Sequence, residues 1–413
     1  MSDKNIICGI DVGTTKIVVV IAEFDESGQY SIIGIGESKS NGLKRGVIVN
    51  IKDTIKSLED AIEDAEKQCN YEVESVYVGI SGDHIRGFNG MGVVSVGDAT
   101  NNPIGSVIDK DDKNRVLESA KAMPLSSERR ILHVLSQKYT LDSRSGIEEP
   151  EGLTGSRLQA DVHFITSSKT TENDFKNCFD QLGIEIAGFI LEPLASSCAI
   201  LSNDEKELGS IMIDIGGGTT DLVVWQGGGI TNTIIYPLGG ESVTQDIAEG
   251  IGCPINIAEE LKLRYGSAIE LVDSNENILI EEHQLNIEQN HLNEIIKARI
   301  GEILKEVRFK VEMEANVKIS DLSFGVILTG GGSQLNNISK LIGSIFDCRV
   351  RIGKPTDNLD SVEKHIFNPR YSTAIGIIQY AIDHRDDLSH SDNLNKGSFV
   401  NKIFRNIKEL FNN

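Results

Sequence analysis

Two segments of this chain share one order of residues. "GIDVGTTKIVVV" starts at Gly9 and "MIDIGGGTTDLVV" starts at Met212, about 200 residues later. Both run Ile-Asp, glycine turn, Thr-Thr, β-branched strand. A repeated supersecondary unit restricts the fold severely, because each copy must be the start of a similar α/β domain. The surroundings agree with this. After the first copy come the strand-like "YSIIGIGES" and the helix "NIKDTIKSLEDAIEDAEKQC", with Ile51, Ile55, Leu58, Ile62 and Ala65 near a 3.6 period, and then the strand "SVYVGISG". After the second come the turn "QGGG", the strand "ITNTIIYPLGG" and the helix-like "ESVTQDIAEGIG". A third glycine turn closes the strand "FGVILTGGG", and an apolar-periodic helix is expected two residues beyond it.

Glycine turns after strands let backbone N–H groups approach an anion without interference from Cβ. None of the three is a P-loop, since no Gly-Lys-Ser/Thr follows, and none is a GxGxxG fingerprint. The turns favour phosphate, whereas Asp11, Asp214 and Asp221 beside them repel it. A hydrated Mg²⁺ between carboxylates and phosphate resolves the conflict, since Mg²⁺ retains waters that aspartates can hold. Two facing hairpins would then grip a nucleotide in a cleft between two similar domains.

Composition sets the outer limits. The 413 residues are 39% hydrophobic and 25% charged, enough for several buried cores. A net charge of −22 argues against nucleic acid as the main partner. Cys8, Cys69, Cys178, Cys198, Cys253 and Cys348 form no CxxC pair and read as buried thiols in a reducing compartment. The eight histidines show no ligand spacing, so no structural metal is expected. The polar start, and the lack of a run of about 18 apolar residues, predict a chain that stays in the cytoplasm.

The segments "GIDVGTTK", "MIDIGGGTTD", "YPLGGESVTQDIA", "AEELK" and "VILTGGGSQL", taken in order, resemble the phosphate, connecting and adenosine motifs of the actin and DnaK-type chaperone ATPases. The resemblance implies an α/β, actin-like ATPase fold of two ribonuclease-H-like domains that binds ATP and Mg²⁺. It places Gly13, Thr14, Thr15 and Lys16 on the first phosphate loop and Gly216, Gly217, Gly218 and Thr219 on the second. It implies that Asp11 and Asp214 hold the metal through water, and that Glu192, Asp214 and Asp221 serve the attacking water. Gly239, Gly240, Glu259 and Lys262 would lie near phosphate, ribose and adenine, and Gly330, Gly331, Gly332 and Ser333 would cover the adenosine. From the residues alone, Glu192 is equally a helix-start carboxylate, and Glu259–Lys262 a surface ion pair.

Between "SVYVGIS" and "DVHFIT" lies an insert of strand, helix and strands. With "HVLSQKYTLD" and "GLTGSRLQADVHFIT" it is similar to the bacterial cell-division FtsA family. That resemblance implies a first subdomain over 5–83, 163–200 and about 358–384, with an inserted α+β subdomain at 84–162. It implies a second subdomain over 201–240 and 311–357, a small one at 241–310, a linker at 385–397 and an amphipathic helix at 398–413. Implied partners are the C-terminal peptide of FtsZ near Arg299, other copies of the chain in filaments, further division proteins at the insert, and an anionic membrane. The location would be the cytoplasmic face of the membrane at the division site. The tail "SFVNKIFRNIKELFNN" supports the membrane independently. At 100° per residue Phe399, Val400, Ile403, Phe404, Ile407, Leu410 and Phe411 fall in roughly a 140° arc, with Lys402, Arg405 and Lys408 outside it. Two alternatives stay open at this point: a sugar kinase of the same fold and a type IV pilus adaptor. Whether ATP is hydrolysed is open too.

Overall fold

The computed structural model describes residues 5–25, 28–97, 105–271, 277–280, 285–356, 360–361 and 364–384. The tail residues named above lie outside them.

The first sheet contains β1 (Asn5–Val12), β2 (Lys16–Phe24), β3 (Tyr30–Lys39), β6 (Ser75–Ile80), β13 (Glu185–Leu191) and β21 (Asp360–Ser361), in the order β13-β6-β1-β2-β3-β21. A small hairpin of β4 (Leu43–Lys44) and β5 (Val47–Ile48) leads into α1 (Ile51–Cys69). The second sheet contains β14 (Ser210–Ile215), β15 (Thr220–Gln226), β16 (Gly229–Tyr236), β19 (Val326–Thr329) and β20 (Val350–Ile352), ordered β16-β15-β14-β19-β20. The duplication is therefore real in three dimensions. In each sheet a meander of three antiparallel strands is extended by two parallel strands beside its first strand. Asp11 and Asp214 both stand one residue before the end of that first strand.

Both sheets are covered on both faces, which explains why their central strands are unbroken apolar runs. On β2, Ile17, Val19 and Ile21 face α1 and α3 (Lys169–Leu182), while Val18, Val20 and Ala22 face a layer between the sheets. That layer holds α4 (Glu192–Ile200) and α10 (Ser372–Asp383). The outer face of the second sheet is covered by α6 (Gly240–Ile251), α7 (Ile255–Tyr265), α8 (Gln289–Phe309) and α9 (Ile338–Phe346). A short α5 (Asn203–Glu207) and the hairpin β17 (Asn277–Ile280)/β18 (Leu285–Glu288) complete this half. α1 shows how locally the elements are specified. Asn50 caps it by accepting the Lys52 and Asp53 N–H groups, and Asn70 ends it in the left-handed conformation.

The insert folds as the sheet β10-β9-β12-β7, from β7 (Arg86–Ser95), β9 (Arg129–Leu141), β10 (Arg144–Ile147) and β12 (Arg157–Ser168). α2 (Lys110–Lys121) lies on it, and the pair β8 (Ser106–Val107)/β11 (Thr154–Gly155) edges it. Its own core is built from Val116, Tyr139, Leu158, Val162 and Phe164.

Two expectations need correction. The helix after the third glycine turn does not start two residues on; Gly331–Gln334 first form a 3-10 turn and α9 begins at Ile338. Of the six cysteines, all free, only Cys8 and Cys178 are fully buried, the other four being half-buried.

Candidate functional site

The two repeated hairpins meet tip to tip. A Cβ on Gly217 would fall 2.4 Å from Thr15 Cγ2, and one on Gly218 would fall 2.3 Å from Thr14 Oγ1, so only glycine permits this approach. The second tip is held in shape from below. Gly216 N–H donates to Thr219 O at 3.0 Å, and the Gly240 and Glu241 N–H groups at the start of α6 donate to Gly216 O and Gly217 O at 2.9 and 2.8 Å. Gly240 and Glu241 thus support the loop, and Gly239 packs so closely beneath it that a Cβ there would fall 2.6 Å from Gly216 O. Lys262 joins the same base, donating to Gly240 O at 3.0 Å, Thr244 Oγ1 at 2.7 Å and Glu259 Oε2 at 2.7 Å.

Behind the tips Asp11, Glu192, Asp214 and Asp221 gather from both sheets and from α4. Burial pushes Asp11 up to about 6, against the pull of Lys16 and with the push of Asp214. Asp221 is pushed up to about 7 by burial, opposed by the Ser81 and, more weakly, the Thr219 hydroxyl and reinforced by Asp214 and Asp11. Glu192 is also raised, by burial and then by all three aspartates. Asp214 rises less freely, because Ser196 Oγ donates to its Oδ2 at 2.8 Å and Thr373 Oγ1 at 3.3 Å. Ser81 Oγ, from the end of β6, donates across the cleft to Asp221 Oδ2 at 2.5 Å. Asp221 Oδ1 is buried with no hydrogen-bond partner. Such an oxygen marks a place prepared for a ligand or an ordered water.

Lys16 turns toward the chain before α10. Its Nζ donates to Arg370 O at 2.5 Å and sits 4.5 Å from the Tyr371 ring centre. The third glycine turn closes the site from the side of the second sheet. Gly330 has φ 82°, and a Cβ there would fall 2.1 Å from Asp214 Oδ1. Ser333 is buried and donates to Gly330 O at 2.7 Å, so its hydroxyl serves the loop itself, whereas Gly331 is exposed with nothing near it. Arg299 lies on α8, paired with Asp246 of α6 at 2.7 Å and with Glu302 at 2.7 Å.

Sequence reasoning missed Ser81, Ser196 and Thr373. Ser196 was within reach, since it follows Glu192 by one helical turn and so shares its face. Ser81 and Thr373 reach the cluster only through the tertiary fold.

Among the described residues, no group of three or more His, Cys, Asp or Glu could hold a metal ion directly. Two aspartates and a water shell are what this geometry offers. No helix among the described residues is long and apolar enough to cross a membrane.

Comparison with known proteins decides the family. The family model for cell division protein FtsA matches residues 211–376, and the model for the SHS2 domain inserted in FtsA matches 82–166. A cell division protein FtsA of Pseudomonas aeruginosa is 35% identical over 92% of this chain and 90% of its own. The chain belongs to the FtsA family of cell division proteins. The Escherichia coli K12 member is 32% identical over 92% of this chain and 91% of its own length. Solved structures support the actin-like fold of this FtsA-family chain. The PilM-PilN type IV pilus biogenesis complex has TM-score 0.64 at 15% identity, covering 91% of this chain and 98% of that one. MreB5 of Spiroplasma citri bound to AMPPNP has TM-score 0.56 at 15% identity, covering 95% and 99%. Identities this low speak for the fold alone, so membership in the FtsA family is what separates division from the kinase and pilus alternatives.

Proposed function

We propose that this chain is an ATP-binding, actin-like adaptor that polymerises and tethers FtsZ filaments to the cytoplasmic face of the membrane at the division site. The observation that carries the nucleotide half is the convergence of two glycine hairpins on four carboxyls, Asp11 and Asp221 buried and Glu192 and Asp214 half-buried, with one Asp221 oxygen unpartnered. The residues fit Mg·ATP, which when bound supplies the phosphate anion the hairpins lack and the cation the carboxyls lack. Asp11 and Asp214 would hold the metal's waters, with Ser196 and Thr373 fixing Asp214. Gly13, Thr14 and Thr15 would meet phosphate oxygens from one side, and Gly216, Gly217, Gly218 and Thr219 from the other. Glu192 and Asp221, whose carboxyls burial raises above the ordinary range, would orient a water and accept its proton. Glu259, Lys262 and the loop at Gly330–Gly332 would flank the nucleoside.

The membrane half rests on the tail pattern. A helix of about 15 residues is marginal in water, so it orders as it inserts and each copy binds weakly. A polymer that presents many tails on one face gains avidity of roughly 10²–10⁴ without new contacts. In this reading the four-subdomain division with an inserted, partner-facing unit gives the polymer its contacts, and Arg299 stands near the FtsZ peptide.

Co-sedimentation with anionic liposomes tests the tether. Full-length chain should carry FtsZ into the pellet, more so with Mg·ATP, whereas a chain ending at Asn395 should not. Equal recovery of FtsZ with the shortened chain refutes it.

A further inference from the structure

His133 belongs to β9 of the inserted sheet, yet it is buried against the first sheet, at 6% exposure. Its Nε2 accepts the Leu191 N–H at 3.0 Å. Leu191 ends β13 and is the N-cap of α4, whose first residue is Glu192 and which has no side-chain cap. On the opposite edge of the imidazole, the Tyr380 hydroxyl of α10 lies 3.4 Å from Nδ1, with the rings edge to face at 5.5 Å. His384 in turn stacks on Tyr380 with centroids 4.0 Å apart.

These contacts fix the chemistry of the ring. An Nε2 that accepts carries no proton, so the proton sits on Nδ1 and points at the Tyr380 oxygen. Burial, with His384 nearby, pushes His133 down to about 3 and keeps the imidazole neutral. An apolar side chain would fill the same space. What the imidazole adds is an acceptor for the amide one residue before Glu192, at a helix start whose N–H groups have no partners within the helix. Three elements meet on this one ring: a strand of the insert, the strand-to-helix junction that carries Glu192, and α10.

We propose that His133 is a positioning residue for Glu192, which it anchors through the Leu191 amide, so that the inserted subdomain reaches the cleft through its own strand. This rests on the reading of Glu192 as the group that orients water. The leverage is large, because a displacement of about 1 Å of a catalytic group can cost about 10²-fold in rate. A shift of β9 relative to the first sheet moves the acceptor and with it the start of α4.

The test uses the full chain with His133→Phe, which fills space without accepting, and His133→Gln, whose Oε1 can accept. His133→Met replaces the Phe variant if that does not fold. Amide exchange at Leu191 should rise at least about tenfold in the Phe variant and stay within about threefold in the Gln variant. Single-turnover ATP hydrolysis should fall about tenfold in the Phe variant with ADP affinity within about twofold. Combined with Glu192→Gln, the Phe change should slow hydrolysis no further, as for two residues acting through one group. Wild-type exchange at Leu191 in the Phe variant, or a rate loss that multiplies with Glu192→Gln, overturns the inference. A wild-type protein without hydrolysis sinks the assignment of Glu192 instead. His133 then stands or falls on the exchange ratio.

Discussion

Replacing Asp221 with Asn should change how stability depends on pH. The folded protein holds this carboxyl at about 7 against an ordinary 3.8. Between those values the folded state binds a proton that the unfolded chain has released, so stability falls as pH rises through the window. A tenfold difference in proton affinity is worth about 1.4 kcal/mol, which sets a scale of about 4 kcal/mol for this group. Asn keeps an oxygen for the Ser81 hydroxyl and cannot ionise. In metal-free buffer the two proteins should therefore melt together below about pH 4, and the Asn variant should lead increasingly from there to about pH 7 and keep that lead at about pH 8. At about 2–4 °C per kcal/mol for a lobe of this size, the gap should open to roughly 10 °C. Melting followed by intrinsic fluorescence, pH by pH, reads this directly, and comparing the two curves cancels the carboxyls outside the cluster. Millimolar Mg²⁺ should raise the wild-type curve at pH 8 more than that of the variant. Parallel curves, or a wild type that gains on the variant as pH rises, would show that Asp221 ionises freely and that the cluster is not short of a cation.

Packing gives two opposed predictions. Gly376→Ala puts a Cβ 1.9 Å from Ala195 O, between α10 and the helix that carries Glu192 and Ser196, and should cost about 3 kcal/mol or more and lower the melting temperature. Gly301→Ala, inside α8 with nothing near the new Cβ, should stabilise by roughly 0.5–1 kcal/mol in the same assay. Gly217→Val should hold the hairpin tips apart and weaken nucleotide binding at least about tenfold, or about 1.4 kcal/mol by titration; unchanged affinity would mean that the tips do not close on a ligand. Arg299→Ala should lose FtsZ peptide binding by fluorescence anisotropy, while loss of its half-buried pair with Asp246 and its pair with Glu302 should cost about 1 kcal/mol in stability.

The fold was legible where one element carries its own signal. The repeated Asp-glycine-Thr-Thr order located both hairpins, the 3.6 period located α1, and the alternation of strand and helix signals outlined the insert. Contacts between distant segments left no trace in the sequence. Ser81 and Asp221 are 140 residues apart and Lys16 reaches the carbonyl of Arg370 354 residues away, and no local rule links either pair. The layer of α4 and α10 was obscure for a related reason. Both are buried on most of their faces because they lie between two sheets, so neither shows the amphipathic stripe that marks α1. The family resemblance placed Gly239 and Gly240 beside the nucleotide, but no local rule foretold that the Gly240 and Glu241 amides also brace the neighbouring hairpin.

Calorimetric titration of the full-length chain with ATP, in Mg²⁺ and then in EDTA, bears most directly on the nucleotide cleft from which polymerisation and tethering are inferred. One ATP should bind per chain, with affinity reduced at least about tenfold by EDTA, and reduced similarly by Asp214→Asn in the presence of Mg²⁺. No saturable binding, or binding indifferent both to the metal and to Asp214, would contradict the reading of the paired hairpins and their carboxyls as a clamp for Mg·ATP.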